Sequence, residues 1–243
     1  MISPGLILAI ALAFIHGFAS KLTFVCRIPR FRWTSFAGGV SLSYVFLKIF
    51  PDLSYQQVEL QYTRILWMPY RENHVYLLAL SGLLVFYRLD IWAYKVKSAQ
   101  ESLSPAKNSN ATSFWIHLGA FAILNVITGY LLQDLGDYGL KASILFFIPI
   151  AFYFFIIDEK LRIHQQSLYD RQGRWCLVSA IFCGTAIGQV AHLSEVAIAI
   201  VWSFLAGSII LNVLKRELPD EHESCFGSFV TGTILFTVLM LLT

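Results

Sequence analysis

Charged side chains are scarce in this sequence. Only 14% of its 243 residues are Asp, Glu, Lys or Arg, and 57% are hydrophobic. A soluble domain of ordinary composition carries about 25% charged residues. With a mean hydropathy of +0.64, the deficit points to lipid as the solvent. The net charge of +3 is too small to mark a nucleic-acid binder. Cysteine is sparse too. Cys26, Cys176, Cys183 and Cys225 show no paired short spacing. Cys176 and Cys183 share a face of one predicted helix, so they cannot bridge each other. All four cysteines are expected as buried apolar residues rather than as a disulfide or metal framework. The first apolar run has no Lys or Arg before it and no small-residue cleavage site, so it is expected to be a retained helix, not a signal peptide.

What the sequence has in abundance is long apolar runs. A membrane-spanning helix needs roughly 17–25 mostly apolar residues. Eight runs qualify: Ile2–Ser20, Thr34–Phe50, Asn73–Leu89, Thr112–Leu132, Gly139–Ile157, Trp175–Ala191, Ser194–Leu214 and Cys225–Leu242. Arg88 and Asp90 close the third, where they can snorkel toward headgroups. Trp33, Trp92, Tyr138 and Trp175 lie near run ends, as interfacial aromatics do. The stretch Ser98–Ser113, rich in Ser, Asn, Ala and Lys, reads as a flexible loop. The lipid bilayer is therefore the first expected partner.

Positive charge sets the orientation. Lys21, Arg27, Arg30, Arg32, Arg88, Lys95, Lys97, Lys107, Lys160, Arg162, Arg171, Arg174, Lys215 and Arg216 fall on one side, which is 14 of the 18 Lys and Arg. The positive-inside rule places that side in the cytoplasm and both termini outside, in the plasma (inner) membrane. The sequon at Asn110 then faces the cytoplasm and reads as chance.

An internal repeat is visible. An offset of 168 matches Ser35, Phe36, Gly39, Val45, Pro51 and Asp52 to Ser203, Phe204, Gly207, Val213, Pro219 and Asp220. The copies are the second and the seventh runs, five steps apart, so they run in opposite directions, the mark of an inverted-repeat transporter. The same residues also read as packing devices, since Ser35 with Gly39 and Ser203 with Gly207 are small-xxx-small pairs, as are Gly184 and Gly188. The expected architecture is an all-α integral membrane domain over 1–243. Inverted three-helix repeats (1–92 and 175–243) flank central helices (112–157), and the cytoplasmic loop is 98–113.

Over most of its length the chain resembles the ZIP family of divalent-metal transporters. Phe36–Asp52 and Phe204–Asp220 are similar to that family's second and seventh helices. The resemblance implies an eight-helix bundle whose metal chemistry sits on helices four and five. There the family's His-Asn-x-x-acid-Gly pattern aligns with Leu124-Asn125-Val126-Ile127-Thr128-Gly129. Its His-Glu-Ile-Pro-His-Glu pattern aligns with Phe146-Phe147-Ile148-Pro149-Ile150-Ala151. Asn125, Gly129 and the Ile-Pro core remain, and the ligand positions are apolar or Thr128. Zinc needs imidazole, carboxylate or thiolate. The family's zinc mechanism is thus not expected at its usual place, and neither a bound metal nor any cofactor is assigned.

Ionisable residues inside a membrane are functional candidates because their burial is costly. His117, Asn125, Thr128 and Asp158 form the candidate transport path. His16, near the end of the first run, reads as reaching the headgroups. Asp158 and Glu159 read as a solvated helix exit, with Lys160 and Arg162 as ion-pair partners. Pro149 frees the carbonyl of Leu145 for a neighbour, a water or a cation. Asn212 is expected to bond across helices. His192 and Glu195 read as a solvated turn, and His164 with Asp158, Glu159 and Asp170 as a weaker metal option. No nucleophile–base pair, phosphate loop or HExxH helix appears, so the chain is read as a non-enzyme. The expected function is transport of a metal ion or other small solute. The alternative is a non-transporting ZIP derivative acting as a partner or regulatory subunit. A second copy of the chain is a further expected partner.

Overall fold

The structure is a computed structural model, and it describes residues 3–25, 30–62, 73–103, 111–137, 139–217 and 225–242. Within these every regular element is helical. Helix α1 is Pro4–Val25. Helix α2 is a rod of Arg30–Tyr44, a π turn at Val45–Ile49, and Phe50–Tyr62. Helix α3 is His74–Leu103, α4 is Ala111–Asp137 and α5 is Leu140–His164. Helix α6 joins Gln166–Leu168, a π turn at Tyr169–Gly173, and Arg174–Val190. Helix α7 is Glu195–Asn212 with a closing π turn at Val213–Glu217, and α8 is Phe226–Leu242.

Among the described residues, five spans are long and apolar enough to cross a membrane: Phe31–Val58, His74–Val96, Ala111–Gly136, Leu140–Ile163 and Glu195–Lys215. Pro4–Phe18 and Phe226–Leu242 are shorter apolar helices. Leu77, Leu80 and Leu84 form an exposed stripe along α3, and Ile7, Ile10, Phe14 and Phe18 form one along α1. Bare apolar stripes of this kind suit lipid, which solvates them without cost. These are the helices of a multipass membrane protein.

The chain divides into two compact units, Met1–Arg27 with Phe86–Val190, and Ile28–Val85 with Ala191–Thr243. In the first unit α4 and α6 cross at glycines. A methyl group on Gly129 would strike the carbonyl oxygen of Ile181, and one on Gly184 would strike that of Val126. Close backbone contact replaces the missing hydrophobic drive between helices in lipid. Helix α1 lies against α4, with Gly5 on the Leu132 carbonyl, and also packs on α5 and α6. The α4–α5 turn is tight because Gly139 takes φ +111°, a conformation L side chains avoid. Ser143 Oγ then donates to the Leu135 and Gly139 carbonyls at 3.1 and 3.0 Å.

The second unit contains two reciprocal crossings. In α2 and α8, Gly39 meets the Phe229 carbonyl and Gly232 meets the Phe36 carbonyl. In α7 and α3, Gly207 meets the Ala79 carbonyl and Gly82 meets the Phe204 carbonyl. The offset of 168 carries Phe36 and Gly39 onto Phe204 and Gly207. It also carries the π turn Val45–Ile49 onto the π turn Val213–Glu217.

Several expectations need correction. Helix α5 runs to His164, so Asp158 lies inside it rather than at its exit. Helix α1 runs to Val25, so His16 is mid-helix. Helical residues occupy both ends of the expected loop 98–113, and 104–110 with the Asn110 sequon lie outside the described residues. Cys183 is exposed and Cys176 and Cys225 are partly so, because an apolar thiol can face lipid as readily as a core. Cys26 lies outside the described residues. Asn212 donates to Ser208 O of its own helix at 2.9 Å, not across helices.

Candidate functional site

The site begins with helix periodicity. In α1 the inward face is Gly5, Ala9, Leu12, Ala13 and His16, spaced three and four apart. Small residues at 5, 9 and 13 let α1 approach its neighbours, and His16 arrives one turn later on the same face. In α5 the buried stripe Phe146, Ile150, Phe154 continues to Asp158. In α4 the stripe Leu118, Phe121, Leu124 carries Asn125 and Thr128. Three apolar stripes thus deliver three polar groups to one place.

His16 and Asp158 are both 0% exposed and Asn125 is 1% exposed. His16 Nδ1 lies 2.8 and 2.7 Å from Asp158 Oδ1 and Oδ2. His16 Nε2 lies 2.8 Å from Asn125 Oδ1. Asn125 Nδ2 donates to Phe121 O at 2.8 Å, one turn back on its own helix. That bond fixes the amide, so its oxygen faces the imidazole and Nε2 must donate. Nδ1 faces two carboxylate oxygens. Two acceptors do not approach to 2.7 Å without a hydrogen between them. The site is therefore an imidazolium–aspartate pair, or its isomer with the proton on Asp158. Either form is neutral as a whole, which makes its burial tolerable. The Phe154 ring, 4.9 Å from the imidazole centroid, closes one side.

Helix α6 supplies the surroundings. The π turn places Tyr169 with its side chain fully buried, its hydroxyl without a hydrogen-bond partner among the described residues. The Tyr169 phenol lies near the Asp158 carboxylate. Arg174 Nη1 donates to Gly17 O at 3.4 Å, beside His16. Arg162 Nε pairs with Asp170 Oδ1 at 3.1 Å.

The four path residues fall as follows. Asn125 and Asp158 are brought together, with His16 as the bridge between them. Thr128 is buried one turn beyond Asn125. His117 turns to α3, where Nδ1 lies 3.5 Å from Asp90 Oδ1. His16 is fully buried against Asp158 and Asn125 instead of lying open at a helix end. It is the member that the reading of the sequence placed elsewhere. Its signal was the small-residue stripe that precedes it. Asp158 pairs with His16, and Arg162 with Asp170 instead. Of the metal option at His164, Asp158, Glu159 and Asp170, Asp158 and Asp170 are taken up by these two pairs, and the His164 side chain lies outside the described ones. Among the described residues no group of three His, Cys, Asp or Glu could hold a metal ion. His192 and Glu195 are exposed. Of the positions that the resemblance aligns with zinc ligands, Leu124, Phe146 and Ile150 are buried and apolar. Compared with protein-family models, curated proteins and solved structures, the chain matches none.

Proposed function

We propose that this chain is a ZIP-like multipass transporter that moves a small cation or other small solute through a site different from the family's zinc site. All eight helices cross the bilayer in this reading, with both termini outside the cytoplasm. The observation that carries it is the His16–Asp158–Asn125 cluster, buried on three apolar helices. A purely structural helix contact in lipid needs no charge, and an intramembrane His–Asp pair is the kind of group that ion pathways and proton relays use. The inverted repeat is supported by the two π turns and the two glycine crossings that the offset of 168 relates. Isolated π turns favour functional positions.

The buried apolar residues at Leu124, Phe146 and Ile150 favour a second reading, a ZIP derivative that no longer transports and serves as a partner subunit. Uptake into proteoliposomes separates the two. The full chain should carry at least one ion from a panel of divalent metals, alkali cations and protons, and D158N should lose that uptake while keeping its membrane yield. A parent protein that moves nothing from the panel leaves the partner-subunit reading.

A further inference from the structure

We infer that the ion bound at this site is a proton, one per chain, shared between His16 Nδ1 and Asp158, and that its release past Tyr169 is the ion-coupling step of transport. The inference rests on the transport reading above and names the ion for the same site.

The donor count leads to the proton. The Phe121 carbonyl holds the Asn125 amide so that Nε2 of His16 must be a donor. Nδ1 then sits 2.7–2.8 Å from two carboxylate oxygens, which requires a hydrogen in that contact. Neither ring nitrogen offers a free lone pair to a metal while the pair is closed, and His, Asp and Asn are too few ligands for a dehydrated divalent ion. The amide oxygen of Asn125 is no base, so the Nε2 proton stays. The exchangeable proton is the one between Nδ1 and Asp158.

The release step balances. The Nδ1–H bond breaks, or the O–H bond in the isomer with Asp158 protonated, and one proton leaves to water. A neutral imidazole and a carboxylate remain, with net charge one unit more negative. Their facing lone pairs now repel across a contact that the proton had bridged. Proton loss therefore loosens α1 from α5, and proton binding draws them together. A pair that has one geometry with the proton and another without it is the two-state element that coupling needs.

The titratable and charged groups around the pair give the direction of release. On α5 these are Asp158 and, one turn on, Arg162. On α6 they are Tyr169, Asp170 and Arg174. On α4 the ionisable groups on either side of Asn125 are the buried phenol of Tyr130 and His117, which faces Asp90 of α3. Tyr169 is the buried hydroxyl beside Asp158, and a phenol both accepts and donates a hydrogen bond. From there the Arg162–Asp170 pair, partly exposed, marks the solvent end. Tyr169 relays the proton: its oxygen accepts the incoming proton as its own hydroxyl hydrogen leaves on the far side, so the phenol is neutral before and after.

The test uses the full chain in liposomes loaded with a pH-sensitive dye, driven by a potassium diffusion potential. Wild type should take up protons well above empty vesicles. D158N, which keeps a hydrogen-bonding side chain but no exchangeable proton, should fall to the lipid leak, a loss of about tenfold or more in rate. H16Q, whose amide can still bridge Asp158 and Asn125, should do the same and guards against a folding defect in D158N. Y169F should slow the flux and raise its solvent deuterium isotope effect, a readout that a packing role would not move. If both variants melt like wild type and carry its proton flux, the inference is wrong. If wild-type vesicles leak protons no faster than empty ones yet take up another ion in a manner that needs Asp158, the proton inference fails and the transport reading stands. If nothing moves, both fail.

Discussion

At the scale of single residues, the decisive feature is a charge pair taken fully out of solvent. Removing one partner of such a pair leaves an uncompensated buried charge, at a cost of about 3–5 kcal/mol, whereas replacing both by apolar groups is close to neutral. H16L should therefore destabilise the chain by about that amount, and H16L/D158L should recover most of it. Denaturation of the purified variants in mixed micelles measures the cycle. A double variant as unstable as the sum of the singles would mean that the two residues are not an energetic pair. A second residue-level feature lies in the other unit. Ser228 Oγ donates to Cys225 Sγ at 3.3 Å. That bond, followed by weaker contributions that include the charge of Arg32, lowers the Cys225 thiol below its ordinary range. The thiol borders a cavity of about 440 Å³ with Arg32, Trp33 and Phe36. A lowered thiol gives more thiolate at neutral pH, so Cys225 should be alkylated faster than Cys176, and S228A should slow it about two- to threefold. Mass spectrometry of a timed maleimide reaction reads both rates. Equal rates at Cys225 and Cys176 would contradict the assignment.

At the scale of elements, glycine decides where helices touch. Gly184 lies on the Val126 carbonyl, a backbone atom that cannot swing aside. Gly119 has nothing within 4 Å of the position a Cβ would take. G184L should thus cost about 1–3 kcal/mol or abolish assembly, because overpacking against backbone has no rotamer escape, whereas G119L should be nearly silent. Membrane yield and melting of the two variants check this, and similar losses from both would overturn the packing account. The sequence made much of this legible. Gly39, Gly207 and Gly184 stood out as small-residue positions, and each proves to be a close crossing. Most helix starts were legible because apolar runs begin sharply, except that α2 begins at Arg30 and α6 at Gln166, four and nine residues before their runs. Helix ends were not, because α1, α3 and α5 continue for a turn or more into polar residues that remain helical. That error had a consequence for the site. Ending the fifth run at Ile157 turned Asp158 into a solvated cap, and ending the first at Ser20 pushed His16 toward the headgroups. Hydropathy reports where lipid begins, and the hydrogen-bonded helix does not stop there.

At the scale of the whole molecule, we propose that the fully buried His16–Asp158 pair is kept because the chain moves ions. Asn125 and Asp158 could be chosen from the sequence, since each is a polar residue on an apolar helix. Their meeting through His16 could not, because it joins residues separated by more than a hundred positions and depends on which faces of α1, α4 and α5 converge. The π turns were equally out of reach, since a five-residue widening leaves no mark in hydropathy, although the offset of 168 already pointed to where the second would fall. The most direct test is charge movement on a solid-supported membrane carrying oriented full-length protein, with steps of pH and of each candidate cation. The account expects transient currents in the parent protein that disappear in D158N. Currents that persist unchanged in a folded D158N, or their absence from the parent protein for every ion, would contradict it.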